Sequence, residues 1–419
     1  MSSWLLLAGF AIGYIVYYLT VIVKRPKLAV SEGAFKEFLL KNVPTIESKF
    51  WPTIWCVEGR VQTVFASILR STIFPTIHYR REILTLKDGG EVALDWMEEG
   101  CKKLSPLILI LPGLSGESHS DYVRCLVVAA QEIGVRAVIF NNRGLGGVKL
   151  KTPRLYCASN IEDLSEVVNH IKKLNLGVRL GATGISMGGL VLGNYLAEKS
   201  EESSKTFTAC QVISVPWNVQ KGCAVNLCSD AEKSKYYFQL TGSDSIETPY
   251  LNSLLSRHSA RNLCKTLSKG DVLRNGEFDI DAILQSKSIK EFDSSFTSKH
   301  FGFKDVKQYY GTATLHDKLH KMTTPLLGLS AADDPFQPLN DIPVNAALNS
   351  SHVAIVVTTR GGHIGFLDGI WPIGKDQFIA RVFSQYFAAT LFDDRNFSST
   401  YQQMQREHLN ASKSSKATE

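Results

Sequence analysis

The sequence predicts an α/β protein built on a mostly parallel sheet. Three observations carry this. Strand-like runs recur at 107–111, 137–140, 178–183 and 209–215, the first two apolar throughout. Stretches with helical spacing lie between them, so strands alternate with helices. The serine turn Gly184-Ile185-Ser186-Met187-Gly188 joins one of these strands to its helix.

In chain order, residues 4–23 contain no charged side chain and are followed at once by Lys24, Arg25 and Lys27. Twenty such residues are about enough to cross a ~30 Å hydrocarbon core as a helix. Bulky Tyr17, Tyr18 and Leu19 stand where a signal-peptide cleavage site needs small residues, which favours a retained signal-anchor. The basic flank after the span places the following domain in the cytosol by the positive-inside rule. The triplets at Asn349, Asn396 and Asn410 have the form of glycosylation sites and point to the other face. Residues 28–80 read as an aromatic arm on the body or against a membrane surface. From 81 the pattern becomes α/β, with a hairpin around Asp88-Gly89-Gly90. The runs at 107–111 and 137–140 are apolar throughout, as strands buried on both faces are. Helices are expected over 122–133, over 161–172 behind an Asn160 cap, and after the serine turn at 190–199.

The alternation stops at Pro216. Residues 217–320 are polar and aromatic, with helical pieces at 231–240, 251–267, 280–284 and 304–310, as expected of a helical insertion over the strand ends, where a lid belongs. Strands resume at 325–330 and 353–358, and an amphipathic helix over 375–391 closes the body. The organisation expected is thus an N-terminal transmembrane helix with its basic flank (1–27), an arm (28–80), a core in two parts (81–216 and 321–392) split by the helical lid insertion (217–320), and a polar, disordered tail (393–419).

Composition bounds the chemistry. The chain has 419 residues, 44% hydrophobic and 21% charged, enough for a large core. Its net charge of +6 is spread along the chain, which argues against nucleic acid as the main partner. Eight cysteines are scattered with no C-x-x-C, which suits reduced packing residues and no zinc site, although Cys223 and Cys228 are close enough in sequence to pair. The glycines of 141–147 lack both a G-x-G-x-x-G frame and a P-loop lysine, so no nucleotide is expected, and Arg143 is read as pairing with a carboxylate.

The serine turn has the G-x-S-x-G form that lifts a nucleophile out of a sheet. Its bland alternative is a serine N-cap on a glycine-rich turn. What decides is the order of its partners. Asp333-Asp334-Pro335 follows the strand at 325–330, and His363 follows the strand at 353–358 within Gly361-Gly362-His363-Ile364-Gly365-Phe366. Serine, then acid, then histidine, each at a strand's carboxyl end, is the order of the α/β-hydrolase fold. Asp334 opens a D-P-x-x-P turn and is chosen as the acid, with Asp333 still open. Leu111-Pro112-Gly113-Leu114 ends a core strand, so the amides of Leu114 and Met187 are the candidate oxyanion donors. No metal or organic cofactor is required.

These residues together resemble the membrane-anchored α/β-hydrolase-domain-containing proteins, particularly the group of members one and three. The likeness includes the N-terminal anchor, Leu111-Pro112-Gly113, Asn141-Asn142-Arg143-Gly144, Thr152-Pro153-Arg154, the run 184–189, Asp333-Asp334 and the long run from Gly361 to Pro372. It implies a single-pass membrane protein of the endoplasmic reticulum or another endomembrane, with the family's triad on Ser186, Asp334 and His363. It also implies a lipid ester substrate at the bilayer, with phospholipase A1-type cleavage of phosphatidylcholines carrying medium or truncated acyl chains foremost. A monoacylglycerol lipase, a general carboxylesterase and a catalytically idle scaffold are the alternatives. His363 and Asp368 also form H-x-x-x-x-D, a spacing associated in relatives with acyl transfer.

Overall fold

The computed structural model describes residues 2–224, 249–268 and 278–416. Nine strands form one sheet: β1 (Lys27–Ala29), β2 (Arg80–Thr85), β3 (Glu91–Met97), β4 (Leu107–Leu111), β5 (Arg136–Asn141), β6 (Leu180–Ile185), β7 (Phe207–Ile213), β8 (Leu326–Ala331) and β9 (Val353–Thr358). Their order is β1-β9-β8-β7-β6-β4-β5-β3-β2. The six strands from β5 to β9 run parallel, the β2-β3 hairpin is antiparallel at one edge, and β1 is antiparallel at the other. The α/β-hydrolase fold expected from the alternation is the fold observed.

Side-chain alternation builds two core layers from one strand. In β4, Leu107, Leu109 and Leu111 join the layer packed by the helices Glu162–Leu174 and Met187–Glu198. Ile108 and Ile110 face the opposite layer, with Asp121–Glu132 and Phe378–Phe392. A strand covered on both sides by helices must be apolar throughout, which is why these strands show no polar face in sequence.

Several elements differ from the sequence-based expectation. The strand before the serine is β6, two residues later than expected, because Gly184 pairs with Leu111 and Val212 and Ile185 pairs with Ile213. Sheet pairing therefore continues to the residue before the serine. The helix after it begins at Met187, three residues earlier than expected. Ile161, not Asn160, is the N-cap of Glu162–Leu174, although the Asn160 side chain still accepts the Glu162 N–H. β1 was invisible as a strand because it has only three residues and draws its stability from pairing with β9.

The tail expected to be disordered is a helix, Asp394–Lys416. Phe397, Tyr401 and Met404 recur at helical spacing, and Phe397 and Met404 are buried against the body. The Phe397 ring lies 4.9 Å from that of Phe38, and Glu407 accepts the Ala34 N–H at 3.1 Å. A mean composition that is polar concealed one apolar stripe.

The arm is two helices, Ala34–Asn42 and Gly59–Ile73, both fitted to the body. Within the insertion the helices Pro249–Ser268, Ile280–Ile283 and Val306–Ala313 overlap the pieces expected at 251–267, 280–284 and 304–310, while the short helix Ile289–Phe292 was not expected. The helix expected over 231–240, and Cys228 of the possible Cys223–Cys228 pair, lie outside the described residues. Among the described residues of the insertion there is no strand.

Candidate active site

Ser186 sits alone between strand and helix with φ 52° and ψ −118°, a backbone conformation that costs a non-glycine residue of order 1–3 kcal/mol. The fold holds it there by close packing on both sides. A Cβ at Gly188 would collide with the carbonyl oxygens of Leu111 and Pro112, and one at Gly189 with Val215. Only glycine lets the helix start this close to β4, so the motif's spacing is a packing requirement as much as a chemical one.

Ser186 Oγ lies 2.9 Å from His363 Nε2. His363 Nδ1 lies 2.9 Å from Asp334 Oδ2 and 3.1 Å from Oδ1. Three residues separated by up to 177 positions thus form one relay across the carboxyl ends of β6, β8 and β9. Asp334 Oδ1 also accepts the Phe336 N–H at 2.8 Å, and the Phe336 ring packs 4.6 Å from the imidazole. The turn therefore fixes the carboxylate and covers the histidine.

Asp333 behaves differently from its neighbour. It points away from the imidazole, one oxygen accepts the Gly362 N–H at 2.9 Å, and the other is buried with no hydrogen-bond partner. Burial pushes its carboxyl up from the usual 3.8 to about 7, with Arg360 pulling the other way. The folded protein therefore holds this proton more tightly than the unfolded chain does. Stability is greatest below about pH 4 as far as Asp333 is concerned, falls as pH rises toward 7, and is flat above. A shift of this size corresponds to roughly 4 kcal/mol. Asp333→Asn should flatten the decline of melting temperature between pH 4 and pH 7.5; a slope equal to that of the parent protein would refute the assignment.

The histidine loop carries a concentration of unusual backbone: Gly362, Ile364 and Phe366 all have positive φ (57°, 65° and 46°). Side chains from elsewhere hold it. The His363 N–H donates to Thr63 Oγ1 at 2.9 Å, the Ile364 N–H to Ser214 Oγ at 2.9 Å, and the Leu367 N–H to Gln62 Oε1 at 3.1 Å. Arg70, buried, donates to the carbonyls of Ile364 and Gly365. Gln62, Thr63 and Arg70 belong to the arm helix Gly59–Ile73, whose part in the site the sequence did not reveal. Polar side chains on a helix ordinarily face water, and only the tertiary contact shows that these face a loop 300 residues away.

Leu114 and Met187 line the same cavity as Ser186 and His363, and among the described residues neither backbone N–H has a protein acceptor. The flanking amides do: Gly113 N–H donates to the Tyr122 hydroxyl at 2.9 Å and Ser115 N–H to the Tyr156 hydroxyl at 3.3 Å. These two tyrosines brace the loop and were missed, because a lone tyrosine has no sequence signature for such a role.

The cavity holds about 800 Å³ and is mainly apolar. Leu254, Leu263, Phe292 and Phe296 of the insertion form one wall, and Val64, Phe65 and Ile68 of the arm form another. Among its polar lining residues is Asp293, which accepts from the Tyr310 hydroxyl at 2.9 Å and which burial pushes up to about 6. Arg143 lies outside the cavity, buried between Asp88 and Asp163 and bonded to both, as the carboxylate pairing expected for it requires. Asp368 is held by Arg381 and the Phe378 N–H, which gives H-x-x-x-x-D a structural explanation. Among the described residues no group of three His, Cys, Asp or Glu side chains could hold a metal ion.

Comparison with known proteins places this site in context. No protein-family model matches the chain. The chain is 35% identical over 400 residues to a protein of Bos taurus named Phospholipase ABHD3, covering 94% of this chain and 91% of that one. It is 36% identical to the Mus musculus protein of the same name, covering 92% and 89%. Among solved structures it is similar to the esterase Pf2001 of Pyrococcus furiosus, with 14% identity, a TM-score of 0.42, and coverage of 69% and 86%. With a third of its residues shared along nine-tenths of both chains, this protein belongs to the ABHD3 family of α/β-hydrolase-domain proteins.

Proposed function

We propose that the protein is a membrane-anchored serine hydrolase that cleaves acyl esters of lipids, with phosphatidylcholines carrying short or medium acyl chains as the leading substrates in a phospholipase A1-type reaction. The observation that carries the proposal is the relay from Asp334 through His363 to Ser186, opening on a large apolar cavity. The names of the ABHD3 relatives support the lipid class.

The chemistry follows from the distances. Asp334 holds the Nδ1–H tautomer of His363, leaving Nε2 free to take the Ser186 proton as Oγ attacks the acyl carbonyl. The carbonyl oxygen becomes an oxyanion beside the amides of Leu114 and Met187, which stabilise it as donors. The proton on Nε2 passes to the leaving alcohol as the ester C–O bond breaks. Water, deprotonated by the same nitrogen, then releases the acid from the acyl-enzyme. No step calls for a cofactor. The helical insertion, acting as a lid, and the arm supply an apolar slot for the acyl chain.

The helix spanning Ser3–Ile22 is long and apolar enough to cross a membrane. We assign it as a single-pass anchor in the endoplasmic reticulum or another endomembrane. Resistance to alkaline extraction together with a full-length N-terminus would support the anchor, and a mature chain beginning after residue 22 would exclude it.

Turnover by the purified full chain separates the substrate classes. Phosphatidylcholine vesicles with acyl chains of graded length, a monoacylglycerol, and a soluble short-chain ester should rank in that order by kcat/KM. Preference for the monoacylglycerol would move the protein to that class, preference for the soluble ester would make it a carboxylesterase, and no turnover of any would favour an idle scaffold. Phe296, buried against Phe292 in the cavity wall, should limit chain length. Phe296→Ala should move the kcat/KM ratio of long to medium chains upward by about tenfold, the worth of one or two methylenes in an apolar pocket. An unchanged ratio would remove Phe296 from the acyl slot.

A further inference from the structure

Two segments more than 300 residues apart in sequence are bonded into one exposed apolar prominence. The Thr53 N–H donates to the Leu367 carbonyl at 3.0 Å, and the Gly369 N–H to the Trp51 carbonyl at 2.9 Å. The Trp55 indole N–H donates to the Ile370 carbonyl at 2.8 Å, and its ring lies 5.9 Å from that of Trp371 and 5.8 Å from that of Phe65. Ile370, Trp371 and Ile373 are 69%, 71% and 66% exposed, beside the half-exposed Trp51 and Trp55. A soluble surface has no reason to assemble a cluster of this kind, and its two tryptophan-bearing segments are held in place by backbone bonds, so its exposure is built in.

The helix spanning Ser3–Ile22 reaches the same place. The Tyr14 hydroxyl donates to the Ile54 carbonyl and the Tyr18 hydroxyl to that of Pro52, and the Tyr18 and Trp51 rings lie 6.4 Å apart. Tyr14 stands eight residues before Ile22, about 10–12 Å along a helix. Whatever surrounds the last two turns of that helix therefore surrounds residues 51–55 and 370–373 too. On the other side of the cluster, Phe65 borders the cavity that contains Ser186.

We propose that the prominence formed by Trp51, Trp55, Ile370, Trp371 and Ile373 is immersed in the bilayer leaflet at the end of the N-terminal span, seating the cavity mouth at Phe65 on the lipid surface. This rests on the assignment of residues 3–22 as a membrane anchor. Tryptophan suits the headgroup boundary, where its ring is buried and its N–H is satisfied, as the Trp55 N–H already is. A lipid leaves the leaflet through the mouth without its acyl chain crossing water. The anchor alone would tether the domain at any tilt, and the prominence gives it one orientation.

The full-length double variant Trp371→Glu/Ile373→Glu, reconstituted in phosphatidylcholine vesicles, tests this. Neither residue lines the cavity, so turnover of a soluble short-chain ester should stay within about twofold of the parent, while turnover of vesicle phosphatidylcholine should fall about tenfold or more, as charges at the boundary lift the loop out of the leaflet. Equal turnover of vesicles by variant and parent would overturn the proposal. Depth is read independently of activity: a nitroxide on Ile370→Cys should relax with lipid-dissolved oxygen and escape an aqueous nickel chelate, whereas one on Leu104→Cys, an exposed site at the opposite ends of the parallel strands, should do the reverse. A water-exposed label at 370 would overturn the proposal even if the double variant misfolds. A dimer that dissociates on the double substitution would also overturn it, by showing a second copy on this face. If the parent hydrolyses none of these esters, the proposed function fails while the depth measurement still decides the docking surface.

Discussion

Ser186→Ala lowers ester turnover by at least about 10⁴-fold and abolishes covalent labelling by a fluorophosphonate, with little change in melting temperature. The separation of activity from stability is what gives this result its force. The Ser186 backbone is held at positive φ by glycine packing at 188 and 189, by the Ser186 N–H donating to the Ile213 carbonyl at 2.9 Å, and by its own carbonyl accepting from the helix behind it. None of these uses the hydroxyl, and alanine meets the same backbone strain as serine. The hydroxyl's one partner in the site is His363 Nε2. Removing it deletes the proposed nucleophile and leaves the backbone amides of Leu114 and Met187 in place. Undiminished labelling of the alanine variant would show that another residue is the nucleophile and that the relay is a structural hydrogen-bond network.

Asp334→Asn lowers kcat by about 10³–10⁴-fold, whereas Asp333→Asn leaves it within about tenfold of the parent. The two carboxylates are neighbours, and geometry separates them. Both carboxylate oxygens of Asp334 lie within hydrogen-bond reach of His363 Nδ1 and accept its proton, so an amide in its place turns an N–H toward the ring and favours the tautomer with Nε2 protonated, which cannot accept the serine proton. Among the described residues Asp333 accepts a hydrogen bond only from the Gly362 N–H, and an asparagine oxygen still accepts that bond. Its burial, and the proton it holds near neutral pH, make it a fold residue whose ionisation costs stability. If instead Asp333→Asn were the inactive variant, the acid assignment would be reversed. Measuring kcat for both variants on one soluble ester settles the matter without interference from the membrane.

Much of the core was legible because its strands are buried on both faces. The runs ending at Leu111 and Phe140 had to be apolar throughout, and such runs announce themselves. The edge was not legible: the three residues of Lys27–Ala29 become a strand only because Val353–Thr358 offers an unpaired side. The C-terminal helix was misjudged for a related reason. Its apolar stripe, Phe397, Tyr401 and Met404, is thin against its glutamines and lysines, and the stripe has meaning only once the body supplies a surface to cover it.

The candidate site divides in the same way. Serine, aspartate and histidine could be picked out because each stands at the carboxyl end of an apolar run and because their order matches a known fold. Chain order is a one-dimensional fact and the sequence contains it whole. The choice between Asp333 and Asp334 rested in sequence on a turn motif alone, and it is the distance to an imidazole that tells them apart. The clasp of Gln62, Thr63 and Arg70 on the histidine loop, the tyrosines bonded to the amides of Gly113 and Ser115, and the meeting of Trp55 with Trp371 are likewise contacts between distant parts of the chain. Local pattern determined which residues are the candidates for the chemistry, because strand burial and glycine spacing are enforced residue by residue. What holds those residues to within a hydrogen bond of one another was decided only by tertiary packing, since a contact across 300 residues leaves no trace in the spacing of either partner.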